Sequence, residues 1–146
     1  MRLPKGITGF TIGESELIPM DGGLFKKVGY DIARKLQSEV VSFQSPAYPT
    51  NYYRLDLQRE GRTLSILLHE YFPYVAIASF DAEQRKVFVT CDEMVSKLNP
   101  FYEVLDAAFL NGAFNPELHD LAARELEQVR FWGAKTNGDV IFNSWD

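Results

Sequence analysis

Cys91 is the only thiol of the chain, and it stands where a β-branched run, Val87 to Thr90, gives way to a helical pattern. A helix N-terminus stabilises a thiolate, which makes Cys91 the best candidate nucleophile. Nucleophilic chemistry also needs a base, and neither a paired histidine nor a Gly-rich elbow lies near it; a buried, inert cysteine fits the same residues. The two histidines, His69 and His119, cannot complete a four-ligand zinc site with one cysteine. His69-Glu70 opens the HExxH pattern of metalloproteases, but Pro73 occupies the place of the second histidine and the segment reads as a strand end. His119, beside Glu117 and Asp120 in the first turn of an expected helix, reads as a solvated surface residue. Asp92-Glu93 and the pair Asp81 and Glu83 have the chemistry of general acids and bases, yet adjacent acids at turns are commonplace. Asp21-Gly22-Gly23 precedes a helix and offers backbone N–H groups to an anion, but without a preceding strand or a Walker lysine it reads as a helix entry. No cofactor, metal or catalytic set is complete, and none is expected.

The aromatic residues point elsewhere. Tyr48, Tyr52, Tyr53, Tyr71, Phe72 and Tyr74 gather around the ends and outward positions of a run of short strands. Tyrosine joins a large apolar body to a polar tip and is enriched at interfaces, although the same residues also serve to pack beneath helices. Alternation places Tyr52, Arg54, Asp56 and Gln58 on one strand face, and with Tyr71 and Tyr74 they form the expected protein-binding face.

At 146 residues the chain is one domain in size, long enough to bury roughly 70% of its unfolded surface. Apolar residues make up 46% and aromatics 14%, which excludes disorder as the default state. No apolar stretch approaches the ~20 residues of a membrane helix, and Met1 to Gly6 is not followed by the apolar core of a signal peptide. A cytoplasmic protein is expected, consistent with a lone cysteine. The net charge of −5 has the wrong sign for nucleic acid or an anionic membrane and suits a basic partner, while also serving plain solubility.

These side chains must be positioned by the following elements. Pro4, Gly6, Gly9, Gly13 and Pro19, interleaved with Ile7, Phe10, Ile12, Leu17 and Ile18, give an ordered arm without a helix. Leu24, Phe25, Val28, Ile32 and Leu36 recur at helical spacing, and Gly29 among them marks a close approach to the sheet. Strands follow at Val40 to Phe43, Asn51 to Arg59, Arg62 to Glu70, Tyr74 to Phe80 and Lys86 to Thr90, with Glu60-Gly61 as a hairpin turn. Connections this short require antiparallel neighbours. Their core residues are expected to be Leu55, Leu57, Leu64, Ile66, Leu68, Val75, Ile77, Val87 and Val89. Thr90 and Glu93 have capping-box spacing at the start of a helix through Leu98. Phe101 to Phe109 predicts a second helical face ending at Asn111-Gly112, and Asn115-Pro116 opens a third helix running to Trp132-Gly133. Alternation from Asp139 to Trp145 predicts a last strand. The expected fold is a single α+β domain over residues 1–146, an antiparallel meander of about five or six strands covered mainly on one face by N-terminal and C-terminal helices.

The ending, Phe131-Trp132-Gly133-Ala134-Lys135-Thr136 and then Gly138-Asp139-Val140-Ile141-Phe142-Asn143-Ser144-Trp145-Asp146, resembles that of small cytosolic immunity proteins of bacterial polymorphic-toxin systems. The resemblance implies a compact, non-catalytic domain that binds and neutralises a toxin, and the acidic balance suits a basic nuclease toxin. Two other readings stand beside it. One is a small-molecule-binding or hydrolytic enzyme using carboxylates or Cys91 in a pocket between sheet and helices; the other is a homodimer joined through the aromatic face.

Overall fold

The computed structural model describes residues 1–10 and 17–146. Ile12 and Gly13 of the expected arm lie outside them. Strands β1 (Glu39–Gln44), β2 (Tyr52–Arg59), β3 (Arg62–His69), β4 (Tyr74–Phe80) and β5 (Lys86–Phe88) form an antiparallel sheet in sequence order. The two-residue turn between β2 and β3 takes Glu60 and Gly61 to φ of 53° and 74°, the left-handed pair that matches strand twist. That turn fixes the register, so that Leu57 faces Leu64, Leu55 faces Ile66 and Tyr53 faces Leu68.

Alternation then sorts the side chains. On the first face Leu55, Leu57, Ile66, Leu68, Val75 and Ile77 meet α1 (Gly22–Lys35) through Phe25, Val28 and Ile32, and α2 (Asp92–Leu98) through Met94 and Leu98. Asp21 starts α1 by accepting the Leu24 N–H at 3.0 Å. Gly29 is buried against Leu55, and a Cβ there would stand 2.5 Å from Leu55 Cδ1. Leu64 and Val89 are half-buried at the margin of this core. Val87 is not core: it is 49% exposed on the edge strand, and Phe88 takes the buried position instead.

The α+β architecture and the meander are as expected, but the helices do not gather mainly on one face. Tyr52, Leu67, Ala76, Ala78 and Phe88 form a second apolar layer beneath Leu3, Ile7, Leu110, Ile141 and Phe142. The reason lies in β3 and β4, where Leu67, Ala76 and Ala78 are apolar at the positions that a one-sided sheet would make polar.

Several C-terminal boundaries also differ. α2 is capped at Cys91 without a side-chain bond, so Thr90 forms no capping box; Asp92 and Glu93 instead complement the helix dipole in the first turn. Phe101 to Leu105 is not helical. Glu103–Val104 forms β6, parallel to β4, with Glu103 N–H donating to Pro73 C=O at 2.8 Å and Leu105 N–H to Val75 C=O at 2.9 Å. The helix α3 (Ala107–Asn111) begins only after Asp106, whose carboxylate accepts the Phe109 N–H at 2.7 Å. Asn115-Pro116 opens one 3-10 turn, Pro116–Leu118, and α4 (Ala123–Trp132) starts separately and ends on left-handed Gly133. The expected last strand is the helix α5 (Asn137–Ile141), because Thr136 accepts the Asp139 N–H at 3.1 Å as its cap. Among the described residues no helix is long and apolar enough to cross a membrane.

The Gly29 contact makes a sharp prediction. An exposed helical Gly→Ala change gains ~1 kcal/mol, whereas Gly29→Ala is expected to lose about 1–2 kcal/mol because Leu55 must be displaced in a full core. Urea denaturation of the two proteins measures this directly, and a gain in midpoint would refute the close packing.

Candidate protein-binding surface

Tyr52, Arg54 and Asp56 of the expected face on β2 are largely engaged within the molecule. Tyr52 is 7% exposed, covered edge-on by Phe142 at 6.0 Å, with Lys86 Nζ 5.6 Å from its ring centre. Burial raises the Tyr52 phenol pKa and lowers that of the Lys86 ammonium, which Asp139 partly restores. Arg54 Cζ sits over the Phe80 ring, 3.5 Å from its centre, and Arg54 Nε donates to Asp56 at 2.9 Å. Asp56 also accepts from Ser42 and Ser65. Burial opposes ionisation of Asp56, but these donors outweigh it and hold its carboxyl below the ordinary range. Gln58 is exposed at the hairpin end. Tyr74 is half-buried and stacks on Phe72 at 5.8 Å, with its phenol raised by burial and then by the charge of Glu103. Tyr71 is half-buried too, but it belongs to a different place, beside the C-terminal tail.

Cys91 and Glu93 border a cleft of about 280 Å³ floored by Leu36, Leu57 and Met94 and rimmed by Arg59 and Arg62. Neither histidine reaches it. His69 is fully buried at the end of β3, where Nε2–H donates to Ile7 C=O at 2.6 Å and Nδ1 accepts the Tyr71 N–H at 3.0 Å. Both nitrogens are therefore occupied in the neutral ring, and burial lowers its pKa to about 4, against the pull of the Ile7 bond. His119 is half-buried rather than solvated: its Nδ1 accepts the Leu3 N–H at 3.0 Å and its ring stacks on Phe114.

The tail is placed by a buried polar junction. Asn51 Nδ2 donates to Ile141 C=O at 3.0 Å, Asn51 Oδ1 accepts the Asn143 N–H at 2.9 Å, and Asn143 Nδ2 donates to Thr8 C=O and Val140 C=O. Glu125, fully buried on α4, accepts from Gly6 N–H, Thr8 N–H, Thr8 Oγ1–H and Ala122 N–H. These bonds fasten residues 143–145 as a ridge between clefts of about 270, 280 and 290 Å³. On the ridge Trp145 stacks on Trp132, rings 4° from parallel at 6.4 Å, and also meets Phe10, tilted at 34°. Phe131 and Trp132 at the end of α4 are 77% and 40% exposed, and Tyr48 across the neighbouring cleft is 82% exposed. Sequence reading missed this cluster because the tail read as a strand and Phe131-Trp132 as a helix end; the signal was the concentration of rare tryptophan in the last turn of α4 and the tail.

No protein-family model, curated protein or solved structure matches the chain.

His69 couples the junction to pH. Its pKa falls from 6.5 unfolded to about 4 folded, so the unfolded chain binds more protons between those values and stability rises with pH across that window. The contribution is complete above pH 6.5 and fades toward pH 4, to a total of ~3 kcal/mol. His119 shifts the same way through burial. His69→Gln is expected to remove the larger part of the slope in urea stability between pH 7 and 4.5; an unchanged slope would locate the effect elsewhere.

Proposed function

We propose that this chain is a non-catalytic protein-binding domain of the cytoplasm, in its most concrete form an immunity protein that binds and neutralises a cognate toxin. The observation that carries the reading is the exposed aromatic pair of Phe131 and Trp132, edge-on to each other, with Trp132 stacked on Trp145. Large apolar groups held rigidly at a surface, rimmed by polar residues, are the usual composition of an interface centre. The segment that builds this cluster is the one whose sequence resembles the ending of immunity proteins. The net charge of −5 favours encounter with a basic toxin domain such as a nuclease.

Coexpression with the product of the gene beside its own tests the reading, with a stable complex and protection of the host as the expected result. Phe131→Ala and Trp132→Ala are expected to leave the fold intact and to weaken the complex by ~30-fold or more, as truncation of a central aromatic does. Absence of both complex and protection overturns the proposal.

The hydrolytic reading is favoured by one observation, the cleft that joins Cys91 to Glu93, Arg59 and Arg62. Its test is alkylation with iodoacetamide at neutral pH. Labelling of native Cys91 faster than of a free cysteine would favour an activated thiolate, and labelling no faster would remove it.

A further inference from the structure

The cleft between the tail ridge and the start of β2, about 270 Å³, differs from its neighbours in chemistry. Phe10, Tyr48, Tyr71 and Trp145 supply aromatic walls, and among the described residues Glu70 is the one ionisable carboxylate on it. Among the described residues no lysine or arginine lines it, whereas Arg54 or Lys86 lines each of the two clefts beside it on the ridge. Its amides are already engaged: Asn51 bonds Ile141 and Asn143, and Asn143 bonds Thr8, Val140 and Trp145. Glu70 is the charged group of the lining. Among the described residues nothing donates to or pairs with its carboxylate, and burial alone raises its pKa. Its charge is felt by the phenols of Tyr71 and Tyr53, after burial, as a further upward shift. The backbone of Glu70 is fixed on both sides, N–H to Asn51 C=O at 2.9 Å and C=O from Met20 N–H at 2.7 Å, so the Cα from which the side chain extends is held in place.

We infer that this cleft receives a basic side chain, arginine above all, presented by the protein partner. The inference rests on the protein-binding reading and names the chemistry of its anchor. An unpaired carboxylate between aromatic faces gives a cation both a counter-charge and π-faces, and a guanidinium stacks on such faces where an ammonium only points at them. An entering cation supplies half-buried Glu70 with a counter-charge that none of the described residues provides.

The probe is N-acetyl-arginine amide, titrated into the isotope-labelled full chain and followed by NMR, with N-acetyl-citrulline amide as a neutral analogue of the same shape. Saturable shifts at the Trp145 indole and the Tyr71 amide are expected for arginine, at least tenfold weaker for citrulline. Glu70→Gln is expected to lower arginine affinity at least tenfold, and Tyr48→Ala, at an exposed rim position that does not threaten the fold, at least threefold. Equal binding of both probes, or Glu70→Gln and Tyr48→Ala proteins that bind arginine as the parent does, overturns the inference. The titration needs no partner, which separates the two readings. A cleft that takes arginine in a chain that forms no complex removes only the protein-binding reading. A complex indifferent to Glu70→Gln and Tyr48→Ala removes only the anchor.

Discussion

The second face of the sheet depends on one buried carboxylate. Glu125 has no ion-pair partner among the described residues, yet its two oxygens take the N–H groups of Gly6, Thr8 and Ala122 and the Thr8 hydroxyl. Residues 1–10 form no helix or strand that would satisfy their backbone, and Leu3 and Ile7 cannot be buried unless those donors find acceptors under the same cover. Each buried donor left unpaired costs about 1–3 kcal/mol. The arm, α4 and the tail therefore assemble together: Glu125 joins the first two, and Asn51 and Asn143 join both to the start of β2.

The two faces of the sheet are held by different physics. The first is a plain apolar contact between alternating strand residues and one stripe of α1, with Gly29 allowing the helix to sit directly on Leu55. Its order is local, set by hairpins and by a helix adjacent in sequence. The second joins residues 119 positions apart through hydrogen bonds whose geometry leaves little freedom of register.

That difference explains what could be read from the sequence. Period-two alternation and Glu60-Gly61 gave away β2 to β4, and the spacing of Phe25, Val28 and Ile32 gave away α1. The tail misled because Val140, Ile141, Phe142 and Asn143 are all buried, so alternation there carries no information about faces. The decisive local cue was Thr136 with Asp139, a cap that competes with the strand pattern and wins. Phe101 to Leu105 misled because Glu103 and Val104 pair with a strand thirty residues earlier in the chain, roughly, a partner no local window contains. The candidate surface was half legible. Tyr52 and Asp56 do share a face with Arg54, but whether a tyrosine is covered is decided by Phe142, ninety positions away in order of magnitude, and strand parity is silent on that.

The parallel stack of Trp132 on Trp145 has a consequence for how the molecule can be watched. The chain has two tryptophans, and both indoles lie in this one contact between α4 and the tail. Indole planes 4° from parallel with centroids 6.4 Å apart are close enough for their excited states to couple, so the tryptophan signal in circular dichroism and intrinsic fluorescence comes from a single pair of rings. The molecule carries its own optical gauge of whether the ridge is seated, positioned beside the cleft of Glu70, and no label is needed to read it.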